Sequence, residues 1–149
     1  MCMKVLIVGA GTFGEILIKY LKPNGYEIAV MDVDSQRCED ISNQYDILVL
    51  KGDVTDMDDL NEIKVKEYDF LITATGDSEK NILGGLLAKE LGARCVIARI
   101  HDPRLSKIAE KLSITHTICP EIVAVEKILS IVKMENVSYN KRKDFDRQR

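Results

Sequence analysis

Three glycines, Gly9, Gly11 and Gly14, stand at G-x-G-x-x-G spacing directly after the apolar run Val5-Leu6-Ile7-Val8. An acid, Asp32, closes the next apolar run, Ile28-Ala29-Val30-Met31. An acid at about 20 residues from the loop completes the pattern of a dinucleotide site. Gly9 allows a tight turn out of a strand, Gly11 presents no side chain where a pyrophosphate approaches the backbone, and Gly14 lets the following helix pack close to the sheet. The unpaired N–H groups and positive dipole end of that helix favour phosphates. Asp32 can accept hydrogen bonds from ribose hydroxyls, and its charge opposes a 2′-phosphate. These residues identify a nucleotide site without saying what the nucleotide is for.

Later strand ends add candidates. Asp53 follows the third apolar run and can accept from an adenine amino group, cap the short helix after it, or do both. Thr75-Gly76 can offer backbone N–H groups to the far half of a cofactor, and Asn81, a turn further on, a side-chain contact. Arg99 points either to phosphates or to an ion pair with Asp77 or Asp102. His101 and His116 each stand alone, without a nucleophile or metal-ligand partner at a recognisable spacing. His101 reads as structural or phosphate-facing ahead of catalytic.

The elements that must position these residues alternate from end to end. Strands are expected at Lys4–Val8, Glu27–Met31, Ile47–Leu50, Phe70–Ala74, Cys95–Ile100 and Thr115–Cys119. Helices lie between them, over Glu15–Leu21, from Asp34 or Ser35 through Ile41, from Thr55 or Asp56 through Ile63, over about Glu79–Leu91, and from Pro103 through Leu112. Pro120 opens a last helix. Six strands with crossover helices imply an α/β fold, a single doubly wound parallel sheet of the Rossmann type in the order 3-2-1-4-5-6. In the fourth helix the expected packing face is Ile82, Leu83, Leu86 and Leu87, and Gly92 stops it. Gly84 and Gly85 each cost about 1 kcal/mol relative to Ala there. Close backbone approach, to the first strand or to another subunit, would offset that.

The 149 residues suit one domain, 1–134, with a polar tail over 135–149 in which five basic side chains from Lys141 onward stand against Asp144 and Asp146. A hydrophobic content of 46%, a charged content of 30% and a net charge of −3 are those of a soluble protein and point neither to nucleic acid nor to an anionic membrane. No apolar run is long enough to span a bilayer, and the N-terminus shows no leader pattern. Cys2, Cys38, Cys95 and Cys119 have neither zinc nor C-x-x-C spacing, so no metal site is expected and a reducing cytoplasmic compartment fits.

Taken in order, V-G-A-G-T-F-G, M-D-V-D, K-G-D-V-T-D, A-T-G-D-S-E-K-N-I-L, V-I-A-R-I-H-D-P and C-P-E-I-V-A resemble the N-terminal nucleotide-binding domain of the TrkA/Ktr regulators of potassium transport, the RCK or KTN domain. The resemblance covers roughly residues 4–134. It implies an NAD(H) ligand, with ATP or ADP in some branches, and a cytoplasmic position against a membrane potassium channel or transporter. It implies that Gly9, Ala10, Gly11, Thr12, Phe13 and Gly14 surround the pyrophosphate and Asp32 the ribose. Asp53 and Val54 would flank the adenine, and Thr75, Gly76 and Arg99 would line the rest. Longer members carry a C-terminal ligand-sensing domain that these 149 residues do not include.

The resulting expectation is a non-catalytic, NAD-binding regulatory subunit of potassium uptake. The rival is an NAD-dependent dehydrogenase or a fragment of one, which would need a substrate pocket and a proton-transfer group on a further domain. A cysteine-based redox sensor ranks below both. A homodimer or ring is expected, with Ile122, Val125, Ile128, Leu129 and Val132 of the last helix as one contact surface.

Overall fold

The run Val5-Leu6-Ile7-Val8 has no polar residue to turn toward water, and a strand of that composition is stable only with both faces covered. The computed structural model describes residues 2–149 and places this run at the centre of a six-stranded, all-parallel sheet. The strands are β1 (Lys4–Val8), β2 (Glu27–Asp32), β3 (Leu48–Lys51), β4 (Phe70–Thr73), β5 (Cys95–Arg99) and β6 (His116–Ile118), in the order β3-β2-β1-β4-β5-β6. The expected order holds. β1 pairs with β2 from Lys4↔Glu27 to Val8↔Met31 and with β4 from Val5↔Phe70 to Val8↔Thr73.

Alternation along β1 feeds two cores. Val5 and Ile7 join Ile18, Ile28, Val30, Ile41 and Ile72 on one face. Leu6 and Val8 join Met31, Leu60, Leu71, Val96 and Ile100 on the other. Helices α1 (Thr12–Leu21) and α2 (Ser35–Gln44) cover the first face, through Ile18 and Ile41. Helices α3 (Met57–Ile63), α4 (Ser78–Glu90) and α5 (Pro103–Lys111) cover the second, through Leu60, Ala88 and Ala109. Each fully buried Leu or Ile of these clusters is worth roughly 1.5–3 kcal/mol of transfer free energy.

Ile82, Leu86 and Leu87 of helix α4 pack half-buried against the second core, but the most buried side of the helix is another. Its buried residues are Asn81, Gly84, Gly85 and Ala88, while Leu83 is 48% exposed. A small-residue stripe lets the helix lie close to the sheet, which the leucine face would hold off. A Cβ on Gly84 would sit 2.5 Å from Val54, and one on Gly85 would sit 2.7 Å from Ile114 and 2.9 Å from Val96. The close approach is therefore to neighbours within this chain, and not to the first strand. Gly92, at φ +96, ends α4 as expected, and the Ala93 N–H donates to the Ala88 carbonyl in the bond that closes such a cap.

The first compact unit ends at Ile118; Cys119–Arg149 forms the second. The second unit is a helix, α6 (Pro120–Arg147), of 28 residues. It runs unbroken through position 134, so the basic end is helical as far as Arg147. None of its residues is buried. Among the described residues no helix is long and apolar enough to cross a membrane.

Candidate functional site

Parallel strands deliver every strand end to one edge of the sheet, and ligands of such sheets lie outside the carboxyl ends where the strand order reverses. Here that edge carries a cleft of about 650 Å³ between the ends of β1, β2, β3, β4 and β5.

Gly9 leaves β1 at φ +110, a conformation in which a Cβ would also press on the Ala74 backbone at 2.9 Å. Its N–H donates to the Met31 carbonyl at 2.8 Å. Gly14, one turn into α1, packs so tightly that a Cβ would run into the Gly9 carbonyl. Gly11 differs from both. Its Cβ would meet nothing closer than the Arg37 Nη1, at 3.8 Å, so the space above it is open to the cleft. α1 also begins without a side-chain cap, whereas α2, α3, α4 and α5 are capped by Asp34, Asp56, Asp77 and Asp102. No side chain caps the first N–H groups of α1, where Gly11, Thr12 and Phe13 border the cleft.

Asp32 ends β2 and is only 6% exposed. Its Oδ2 accepts from the Ala10 N–H at 2.7 Å and its Oδ1 from the Asp34 N–H at 2.8 Å. The Arg37 Nη1 stands 3.9 Å from Oδ2. The carboxylate therefore fixes the glycine loop against β2, and it keeps lone pairs toward the cleft that it borders.

After β3, the Asp53 Oδ1 accepts from the Thr55 N–H at 2.8 Å and from the Thr55 Oγ1 at 2.7 Å. These two bonds hold its carboxyl below the usual carboxylate range. The cap of α3 is Asp56, not Asp53. After β4, Thr75 and Gly76 border the cleft, and Asp77 caps α4 by accepting from the Lys80 N–H at 3.0 Å. At the end of β5, Arg99 stacks on the Phe13 ring at 4.6 Å, and its Nε is buried without a hydrogen-bond partner. Asp102, a considered ion-pair partner of Arg99, is held instead by Arg104 at 2.8 Å.

Of the residues that the resemblance assigns to the nucleotide, all border this cleft except Ala10 and Gly14, which are buried. Asn81 is fully buried and makes no cleft contact, contrary to the expectation of a ligand contact. Neither His101 nor His116 lines the cleft. Arg37 and Lys80 do, although no motif marks them. Both lie in the first turn of a helix that follows an acid-capped strand end, a position from which a long cation reaches the cleft. Ile16, Met31 and Val33 add an apolar lining. No cluster of His, Cys, Asp or Glu suited to a metal ion occurs among the described residues.

The cleft thus offers an uncapped helix N-terminus and three cations for anionic groups, the buried Asp32 and half-buried Asp53 carboxylates for hydroxyl and amino donors, and apolar walls for planar rings. Gly11, open where Gly14 is closed, leaves room for a group the size of a pyrophosphate against the backbone.

The family model of the TrkA-N domain matches residues 5–120. The chain is 30% identical over 138 residues to a Trk system potassium uptake protein TrkA homolog of Methanothermobacter thermautotrophicus, covering 91% of this chain and 64% of that protein. It therefore spans less than two thirds of that relative's length. Among solved structures, the TrkA-N domain of the inner membrane protein ybaL from Escherichia coli superimposes with a TM-score of 0.79 at 15% identity, over 88% of this chain and 97% of that one. The GsuK channel bound to NAD matches with a TM-score of 0.71 at 19% identity, over 79% of this chain and 21% of that one. GsuK bound to ADP gives the same score over 31% of its chain. At these identities the three structural likenesses establish the shared fold.

Proposed function

The chain belongs to the TrkA-N domain family, and from that premise we propose that it is a non-catalytic, nucleotide-binding regulatory component of potassium uptake, with NAD(H) as its ligand. The observation that carries the proposal is the open space above Gly11 at the uncapped start of α1, with Asp32 beside it. The backbone from Gly9 to Gly14 holds the pyrophosphate, Asp32 the adenosine ribose, and Asp53 and Val54 the adenine. Thr75, Gly76 and Arg99 hold the far half. The ligand acts by binding; its hydride chemistry is not used. In support, the Thr55 hydroxyl and N–H bonds hold the Asp53 carboxyl below the usual carboxylate range, which makes it a weak base. The potassium-uptake name of the Methanothermobacter relative supports the physiological role.

The mechanism is a population shift. Nucleotide bridges loops from five strand ends and stabilises the arrangement that holds them together. At 100 times its Kd a ligand supplies about 2.7 kcal/mol toward that arrangement. Residues 1–134 form the regulatory domain, assembled as a homodimer or ring at the cytoplasmic face of a membrane potassium transporter or channel. ADP and ATP are the competing ligands, and a GsuK structure with ADP supports their fit to this fold.

Calorimetry with the full chain tests this reading. NADH is expected to saturate one site per chain. NADPH is expected to bind about tenfold more weakly because Asp32 opposes its 2′-phosphate, an effect that the nearby Arg37 keeps modest. Equal affinity for NADPH would refute the ribose assignment. Tighter binding of ATP than of NADH would make this a nucleotide-phosphate switch. Turnover of a reduced cofactor by the purified chain would return the dehydrogenase reading.

A further inference from the structure

We infer that Asn81 is a positioning residue: a buried crosspiece that fastens the β4–α4 turn to the end of β5 and so sets the wall of the cleft formed by Thr75, Gly76 and Arg99. The inference deepens the nucleotide-binding reading and rests on it for its consequence, though not for its geometry.

Asn81 is fully buried in the stripe of α4 that otherwise carries only glycine and alanine. A carboxamide in such a place is costly unless its donors and acceptors are met. Here all four are. Oδ1 accepts from the Thr75 N–H at 3.1 Å and the Thr75 Oγ1 at 2.6 Å. Nδ2 donates to the Thr75 carbonyl at 3.0 Å and to the Arg99 carbonyl at 2.8 Å. The backbone of Asn81 is tied in as well: its carbonyl accepts from the Thr73 Oγ1 at 2.9 Å.

The position explains the residue type. The β4–β5 ladder ends with Thr73↔Ala98. Beyond it the two chains diverge, β4 into the turn at Thr75 and β5 toward Arg99, and the backbone groups there lose their ladder partners. Asn81 supplies those partners from the helix above, one side chain bridging two strand ends. A leucine would fill the space and leave the Thr75 and Arg99 carbonyls unmet. The same two residues border the cleft, one through its turn and one through its guanidinium. The crosspiece lies on the β4–β5 side, away from Asp32 and Asp53 on the β2–β3 side. It therefore governs the half of the cleft that receives whatever extends beyond the adenosine.

Asn81→Asp in the full chain is the test. It keeps the acceptor and turns the donor into an oxygen facing two carbonyls. NADH affinity is expected to fall about tenfold or more, the worth of one to two hydrogen bonds, while AMP affinity stays within about twofold. A loss of the same size for both ligands means that Asn81 serves stability alone and overturns the inference. So does no loss for NADH. Amide hydrogen exchange without nucleotide provides a second readout: exchange should rise at residues 74–77 and 99–101 and stay unchanged at 9–14. Unchanged exchange at 74–77 also overturns the inference. If the wild-type chain binds neither NADH nor AMP, the nucleotide reading fails while the exchange result still decides the crosspiece. Should Asn81→Asp not fold, Asn81→Ser, smaller and uncharged, is expected to give the same pattern in both readouts.

Discussion

Both carboxylate oxygens of Asp32 accept backbone N–H groups, from Ala10 and from Asp34, yet the residue still borders the cleft. An acid at this position can therefore be selected twice, once by the loop it braces and once by the ribose it faces. The glycines separate more cleanly. Gly11→Val should leave the fold intact, because the space above Gly11 is open, and should abolish NADH binding. A folded variant by circular dichroism that binds NADH normally would reduce the loop to a turn. Gly14→Ala should instead disrupt the loop itself, because its Cβ meets the Gly9 carbonyl. The Cys38 thiol is pushed up by burial and by the neighbouring Asp32 and Asp34 charges, and it donates to the Asp32 and Leu50 carbonyls. It should react with iodoacetamide at pH 8 far more slowly than the exposed Cys2, read by mass spectrometry; faster labelling of Cys38 would revive the redox-sensor reading. Asp53 supplies a pH effect. Its carboxyl is lowered by Thr55, so its contribution is present above the usual carboxylate range and is lost as pH falls through its depressed value. Thr55→Val should lower the urea midpoint at neutral pH by about 1 kcal/mol equivalent, and the difference should shrink in strong acid. The glycines and Asp32 were legible because each answers a rigid backbone demand. Arg37 and Lys80 were not, because a long cation reaches the cleft from any first-turn position and needs no fixed spacing.

At the scale of elements, the strands were legible in order and nearly in length, since all but the short β6 are largely apolar runs closed by a turn or cap residue. The most buried side of α4 was not, although Ile82, Leu86 and Leu87 do pack against the core. Its leucines show helical spacing, but the buried side is the one with least side chain, and only the neighbours reveal that this closeness is needed. Gly84 against Val54 makes the point testable. Gly84→Ala would bring a Cβ to 2.5 Å from Val54, and overpacking of that kind typically costs about 1–3 kcal/mol. Val54→Ala in the same chain should restore most of the loss in thermal unfolding, and losses that simply add would show that the two residues do not meet. Because Val54 borders the cleft, the single variant should also weaken nucleotide binding. The four aspartate caps follow one rule: an acid after a strand starts the next helix. Helices α1 and α6 depart from it, and of the two it is α1 that opens on the cleft.

At the scale of the whole molecule, α6 carries Ile122, Val125, Ile128, Leu129 and Val132 at 42%, 57%, 59%, 49% and 56% exposure, with Ile131, Met134 and Val137 also exposed. An apolar surface of this extent is normally an interface. The chain should sediment as a dimer or larger at tens of micromolar, and Ile128→Lys with Leu129→Lys should yield monomers that still bind NADH. A wild-type chain that sediments as a monomer with NADH present would end the assembly proposal. The glycines of α4, the other place where a subunit contact was conceivable, are occupied by Val54, Val96 and Ile114 of the same chain. The strand order has one more consequence, in the time course of folding. Pairing Val5 with Ile28 closes a loop of about 23 residues, while pairing it with Phe70 closes about 65, at roughly 1 kcal/mol more in chain entropy. The first three strands can associate before the fourth arrives, but the cleft has no second wall until β4 docks on β1. In a refolding experiment, enhancement of NADH fluorescence should lag behind the recovery of helical ellipticity, so that the ligand engages only chains whose central strand pair has closed.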